Sequence, residues 1–415
     1  MAKNDEKIYV VGAGVSGLTA AITLENAGYH PIILEASSKL GGRVTTDYSH
    51  NNILDTGFQV LLDDYPAAQE FLDLDALELV KFSPGSIIFF NGKRYKLGDP
   101  LRDLRFLLPT AMAAVGSIKD KFLVLSLSRE LNKKSLEAIF NEPESSTLKY
   151  LEDYGFSNKI IERFFRPFYA GIFLESELST SSRMFEFVFK MFSTGNATLP
   201  KNGIAEIPKQ LASRLKSTSI QFDSRVREIR GNLIILNSGE NLKADYSIVA
   251  TPAGGIISNL PADHQEWHQV TTLYFTTNHE GFTEPIIGLI ADQEVLVNNL
   301  HFLHDVFDHH EKVLSVSIVK QHDFNETQLI EKVKQELKIH ASIEVGKLIK
   351  RCDIQKALPK LNNLNYAMHP TETQLTENIF LAGDHLSNGS LNAAMLNGKA
   401  AAQAVISKIE DGIFV

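Results

Sequence analysis

The sequence predicts an α/β protein, with a doubly wound Rossmann-like domain carrying an inserted, mixed α+β domain. Three observations lead there. The chain opens strand–glycine turn–helix–strand, "IYVVGAGVSGLTAAITLENAGYHPIILE", and closes on a buried strand, a Gly-Asp pair and an Ala-rich helix. Between them lie helical stretches rich in Leu and Phe and several apolar strands. At 415 residues the chain exceeds the usual size of one domain.

In the opening unit, Ile8 to Val11 is a short apolar strand running into Gly12-Ala13-Gly14-Val15-Ser16-Gly17. Leu18, Ala21, Ile22 and Leu24 then recur at helical spacing until Gly28, and a second strand, Pro31 to Leu34, ends on Glu35-Ala36. Gly12 permits the tight turn, Gly14 lets the backbone approach a pyrophosphate, and Gly17 lets helix and strand pack closely. The helix N-terminus offers N–H groups and the positive end of its dipole to phosphates. Glu35 suits ribose hydroxyls and repels a 2′-phosphate, which disfavours NADP. In this context the glycines predict a dinucleotide site. A second glycine pair with a cation, Gly41-Gly42-Arg43, follows. The chain passes close to the cofactor there, and an arginine adds a charge-assisted hydrogen bond to a diphosphate.

The run from Gly12 to Arg43, ending "EASSKLGGR", resembles the FAD-binding N-terminus of the flavin-containing amine oxidase superfamily. That group includes protoporphyrinogen oxidases and phytoene or carotenoid desaturases. The resemblance implies FAD, held non-covalently, with Arg43 near its diphosphate. Later segments resemble the family too. "LDTGFQVL" would place Gly57, Phe58 and Gln59 at the isoalloxazine. "KNGIAEIPKQLASRL" has Ile204, Ile207, Leu211 and Leu215 on one helical face, and "IQFDSRVREI" after it would bring the Val226 backbone to the adenine. "YSIVATPA" ends in a turn that would set Ala250 to Pro252 near the cofactor. In "NIFLAGDHLSNGSLNAAMLNGKAAAQAVI", Gly383 and Asp384 would meet the ribitol and the helix start at Ser390, Leu391 and Asn392 would point at the flavin. A helix N-terminus there suits the negative charge of a reduced flavin. Ala393, Ala394, Gly398, Ala400 and Ala401 are small enough for close packing.

The expected division gives residues 1–75, 200–260 and 350–415 to the FAD-binding domain, and 76–199 and 261–349 to the substrate domain. In the latter, "SIIFFNGKRYKL" predicts a hairpin turning at Asn91-Gly92, a type I′ pair. Leu101 to Phe140 and Leu148 to Phe192 read as mostly helical, and "LYFTT", "IIGLIA" and "VLSVSIV" as strands. Asn325 and Gln328 form a capping pair before the apolar face Leu329, Ile330, Val333 and Leu337. The longest apolar run, Phe106 to Ile118, is too short to span a membrane and is interrupted by Pro109; a buried helix is the expectation, a membrane-surface patch the alternative.

Absences narrow the chemistry. The net charge of -9, without a Lys/Arg cluster, argues against a nucleic-acid partner. One cysteine, Cys352, allows no disulfide within the chain and fits a reducing compartment. The polar start followed at once by a strand reads as lacking a signal peptide. The expected location is the cytoplasm, with peripheral membrane contact left open; no motif specifies an oligomeric state. Amine oxidases resembling this chain usually carry a lysine on the strand matching "WHQVTTLYF", whereas this sequence has none between Lys243 and Lys312. That favours the desaturase and porphyrinogen-oxidase branches, with apolar substrates dehydrogenated by hydride transfer to flavin and no protein nucleophile required. The rivals are an amine oxidase lacking the lysine, a non-redox isomerase using flavin, and a flavin-binding module without turnover. Phe164, Phe168, Phe185 and Phe189 are either pocket lining or core, core being favoured. Arg166 reads as a structural ion pair ahead of a substrate-carboxylate partner. His301, His304, Asp305 and His309 would converge only if their segment were helical, so no metal is expected.

Overall fold

The computed structural model describes residues 6–49, 52–258, 260, 265–307 and 311–412. Its first layer is a five-stranded sheet in the order Ser219–Gln221, Ile32–Leu34, Ile8–Val11, Tyr246–Val249, Ile379–Leu381. All four pairings are parallel. Parallel strands need both faces covered, and the first strand meets that demand residue by residue. Ile8 and Val10 point into the main core, while Tyr9 and Val11 face a second cluster with Val226, Ile229 and Ile234. The second cluster belongs to a small antiparallel sheet, Val226–Arg230, Leu233–Leu236 and Asn241–Lys243.

The main-core face is covered by the opening helix, Val15–Asn26, and the closing helix, Leu391–Asp411, which lie against each other. Their approach is set by a missing side chain. A Cβ on Gly398 would stand 2.2 Å from the Ser16 carbonyl oxygen and 2.3 Å from Thr19 Oγ1. Gly17 is as tight, since a Cβ there would lie 1.9 Å from the Gly12 carbonyl oxygen. The expected helix–strand packing role of Gly17 is therefore what the geometry shows.

The second layer is a mixed seven-stranded sheet, ordered Val345–Pro359, Trp267–Thr277, Val313–Ile318, Val297–Phe302, Ile287–Ile290, Gly85–Phe90, Lys93–Gly98. The strand Val345–Pro359 straddles the expected boundary at 350 and pairs with Trp267–Thr277. One face packs Leu273, Phe275, Leu300 and Val316 on Leu329 and Val333 of the helix Glu326–Glu336, which carries the expected Asn325/Gln328 capping box. The hairpin turns at Asn91 and Gly92, both with positive φ, as a type I′ turn requires. Cys352 is a buried thiol, its pKa pushed up by burial.

One expectation fails. Phe106 to Ile118 is not a buried helix. It forms a 3-10 turn, Leu104–Phe106, and a six-residue helix, Leu107–Met112. Phe106 is fully buried, its ring against Gly85 and Gly98, where any Cβ would collide with it. Leu107, Leu108 and Met112 face outward, Met112 at 76% exposure. A helix this short, with Pro109 inside it, leaves Leu107, Leu108 and Met112 without a partner layer, while Phe106 before it and Ala113 and Val115 after it are buried.

Asp55 ties three distant segments together. Its carboxylate accepts hydrogen bonds from Thr46 Oγ1 (2.6 Å) and the Ile204 N–H (2.9 Å), and its carbonyl accepts one from Tyr274 Oη (2.5 Å). Burial raises its pKa to about 6, against the two hydrogen bonds that lower it. The folded protein thus holds a proton that the unfolded chain has released between pH 3.8 and about 6, so this group's contribution to stability falls as pH rises through that window. Asp55→Asn keeps a neutral acceptor. Thermal melts from pH 4 to 7 should show the variant gaining on the parent as pH rises, by at most about 3 kcal/mol; a constant gap would remove the linkage. Gly398→Ala improves intrinsic helix propensity by about 1 kcal/mol, yet should lower the melting temperature, because the two helices must part.

Candidate active site

A single cavity of about 1060 Å³ runs from the C-terminal ends of the parallel strands to the seven-stranded sheet. Its lower wall is the opening turn. Gly12 has φ +104°, in the region that favours glycine, and its N–H donates to the Leu34 carbonyl (2.8 Å). Gly14 is the N-cap of the opening helix and supplies no side-chain cap, and no acidic residue sits in the first turn. The N–H groups of that turn therefore keep their affinity for an anion. Ser16 beside them is buried, lines the cavity, and its Oγ has no partner among the described residues.

Glu35, at the end of the second strand, holds the turn as well as facing the cavity. One carboxylate oxygen accepts the Ala13 N–H at 2.7 Å; the other accepts the Ser37 N–H and hydroxyl, each at 2.8 Å. The oxygen facing Ala13 retains acceptor capacity for a ribose hydroxyl, whereas the other is filled by Ser37. Gly41 and Gly42 come alongside, the Gly41 N–H donating to the Ala13 carbonyl (3.0 Å). Arg43 does not stand alone: its guanidinium donates to the buried Asp384 carboxylate and lies over the Trp267 ring, 5.4 Å from the centroid. Two residues expected at different parts of the cofactor, 341 positions apart, thus form an ion pair.

The lining also includes Val15, Ala36, Gly57, Phe58, Gln59, Val226, Ala250, Gly383, Ser390 and Leu391. Gln59 Nε2 donates to the Arg43 and Thr56 carbonyls, bracing the two neighbouring segments. Ser390 caps the closing helix, its Oγ accepting the Ala393 N–H at 3.0 Å. Two of the sequence-chosen residues stand behind the wall. Gly17 is in the helix–strand contact, and the buried Asn392 turns its Oδ1 to the Ala67 N–H at 3.0 Å.

The far end of the cavity is aromatic. Phe164 lies in a π-helical turn, Ile161–Phe165, and with Phe168, Phe189 and Phe192 lines the wall, whereas Phe185 is fully buried core. π-turns are frequent where a helix must present side chains to a site. Arg166 is bound by Glu162 and the Ser176 carbonyl, a structural ion pair. The charged lining falls into two groups. Glu35, Arg43, Arg225, Lys356 and Asp384 belong to the opening, middle and closing segments; Asp99, Arg102 and Lys121 lie by the outward-facing leucines. Sequence reasoning missed the second group, and no motif marks it. Trp267–Thr277 is a strand and carries no lysine. His301 sits on a strand, not a helix, and His309 lies outside the described residues. Among the described residues no cluster of His, Cys, Asp or Glu could hold a metal ion.

The sequence profile for flavin containing amine oxidoreductase matches residues 15–278, more than half the chain. The chain belongs to that family. It is a flavin-dependent oxidoreductase by that membership, and its relatives bear this out. It is 21% identical over 468 residues to 15-cis-phytoene desaturase of Capsicum annuum, covering 97% of this chain and 78% of that one. It is 28% identical over 177 residues to protoporphyrinogen oxidase 2 of Arabidopsis thaliana, 41% of this chain and 33% of the relative. In fold it is similar to a CLA-producing fatty acid isomerase from P. acnes, with TM-score 0.70, 16% identity, and 97% and 99% of the two chains covered.

The residues fit a flavin dinucleotide by a test internal to the chain. Gly14 has room for a side chain, since its Cβ would meet only the Gly41 carbonyl oxygen at 4.0 Å, and its φ of -74° suits any residue. Folding does not require glycine there, so a Cβ would occupy the space left for the ligand. Gly14→Val should fold with parental far-UV circular dichroism and purify without flavin absorbance. Gly17→Val, with its 1.9 Å collision, should fail to accumulate folded protein. Full flavin content in Gly14→Val would contradict this placement of the phosphates.

Proposed function

We propose that this chain is an FAD-dependent dehydrogenase or desaturase acting on an apolar substrate. A bound flavin supplies two-electron oxidation by accepting hydride; the chain binds, orients and excludes water. The observation that carries the reading is the partition of the cavity. Its charged residues lie in the dinucleotide segments or at the outward-facing stretch, and the wall between is Phe58, Phe82, Phe164, Phe168 and Phe192. Such a wall favours burying a hydrocarbon framework and offers no ion partner to an ammonium group.

In this reading residues 1–75, 200–260 and 350–415 hold FAD, and 76–199 and 261–349 hold the substrate. The turn from Gly12 to Gly17 and the helix start behind it take the diphosphate, with Arg43 beside it; Glu35 and Ala36 take the adenosine ribose, and Val226 the adenine. Gly57, Phe58 and Gln59 meet the ring system with Ala250 at its edge, and Gly383, Asp384, Ser390, Leu391 and Asn392 close the site. Holding is non-covalent: the only cysteine, Cys352, is buried and does not line the cavity. The absence of a lysine on Trp267–Thr277 weighs against amine oxidation.

We also assign the outward-facing leucines to contact with a lipid surface. Among the described residues twelve large apolar side chains are exposed, and seven lie between Leu101 and Phe122. Lys119 and Arg105, the latter ion-paired to Asp103, lie exposed among them, where a cation suits anionic headgroups. The same stretch supplies Leu101, Arg102, Thr110 and Lys121 to the cavity wall, so a lipid-soluble substrate enters beside the membrane. No helix of the described residues is long and apolar enough to cross one.

Anaerobic addition of the polar and lipid-soluble fractions of a cell extract to the yellow protein tests the function. Bleaching by the lipid fraction alone supports the reading, and bleaching by the polar fraction alone restores amine oxidation. Isomer change without net oxidation favours a flavin-dependent isomerase. For the surface, the parent should co-sediment with phosphatidylglycerol vesicles, and the double variant Leu108→Ser, Met112→Ser should lose several-fold of that binding with its flavin spectrum unchanged. Equal sedimentation would dismiss the contact.

A further inference from the structure

The cavity-facing side of the seven-stranded sheet carries polar residues where the opposite wall is aromatic. Asn299 on Val297–Phe302 and Ser317 on Val313–Ile318 are cross-strand partners, and Thr272 on Trp267–Thr277 is the next in the same row. Asn299 and Ser317 line the cavity, 2% and 3% exposed. Asn299 Oδ1, Ser317 Oγ and Thr272 Oγ1 have no hydrogen-bond partner among the described residues.

Which atom of Asn299 is unpartnered follows from its neighbours. The Pro167 carbonyl can only accept, so the Asn298 amide nitrogen faces it, at 3.0 Å. Asn298 Oδ1 is then turned to Asn299 and accepts from its Nδ2, at 2.8 Å. This fixes both amides, and leaves the buried carbonyl oxygen as the unpartnered atom of Asn299, a residue of the cavity wall. In the adjacent row, His301 is buried with its ring tilted against Phe58, the ring centroids 4.5 Å apart. Burial takes its pKa down to about 3, so His301 adds no charge behind the wall at neutral pH.

We propose that Asn299 and Ser317 form a substrate subsite that recognises an uncharged hydroxyl group on an otherwise apolar molecule. The hydroxyl donates to Asn299 Oδ1 and accepts from Ser317 Oγ–H, which satisfies both side chains together. An ether or ketone offers no proton to Asn299. A carboxylate or ammonium would enter a buried wall without a counter-ion, which burial disfavours strongly. This deepens the functional reading above and rests on it for the cavity being the substrate site.

The test uses the purified holoenzyme and three probes of equal chain length: decan-1-ol, decyl methyl ether and decanoate. Dissociation constants come from calorimetric titration, which needs no turnover. The alcohol should bind about tenfold or more tightly than the ether, since a site built to hydrogen-bond one group discriminates against its absence. Decanoate should bind more weakly than the alcohol. Ser317→Ala and Asn299→Leu should each bring the alcohol-to-ether ratio towards one, with flavin content showing that each variant is folded. Ser317→Ala, the smaller change, serves if Asn299→Leu does not accumulate. Equal binding of alcohol and ether to the parent, preferred binding of decanoate, an unchanged ratio in the variants, or no binding by any probe would each overturn the subsite. The apolar-substrate reading would survive all of these if the lipid fraction still bleached the flavin.

Discussion

The contact on which the rest depends is the approach of the closing helix to the opening helix at Gly398. Here a glycine near the end of the chain lies directly against the backbone of Ser16. Only that approach brings the Gly383–Leu391 turn to the same cavity as the Gly12–Ser16 turn, and so joins the two ends of the chain into one site. The glycines do different work. Gly398 and Gly17 are required by the protein's own packing, whereas Gly14 leaves space that no protein atom fills. That difference separates folding from ligand binding at positions a few residues apart.

The same economy holds for the charges. Glu35 anchors the Ala13 and Ser37 amides before it is offered to any ligand, and Arg43 and Asp384 neutralise one another across the cavity. A site prepared in this way needs little rearrangement on binding, because its donors and acceptors are already oriented. Buried Asp384 would be costly alone; its partner comes from the opening segment, so the two ends are bound by charge as well as by packing.

How far the sequence was legible follows from the range of each interaction. The opening turn was readable because its meaning is local: glycine spacing, strand before and helix after, acidic residue at the second strand's end. The strands and the Asn91-Gly92 and Asn325/Gln328 devices were readable for the same reason. The Arg43–Asp384 pair was not, since each residue had a sufficient local explanation and nothing local joins them. The turning of Asn392 to Ala67 escaped likewise. Phe106 to Ile118 was misread because apolar composition reports a wish for burial and not its fulfilment. Whether a second layer covers a six-residue helix is decided elsewhere in the chain.

The polar wall shows the converse error. In "VLSVSIV" the alternation of serine with valine and leucine is the ordinary mark of a strand with one wet face. Here that face is closed, since Ser315 and Ser317 are as buried as their apolar neighbours. Of the two, Ser317 lies against the cavity, on the wall opposite the phenylalanines. Unpartnered buried groups destabilise the fold by about 1–3 kcal/mol each, and a fold that tolerates several in one row gains from whatever satisfies them. In the proposed function the aromatic wall gives affinity for a hydrocarbon body and has little orientational preference. In the proposed subsite the polar row sets orientation, because a hydrogen bond is directional where apolar contact is not.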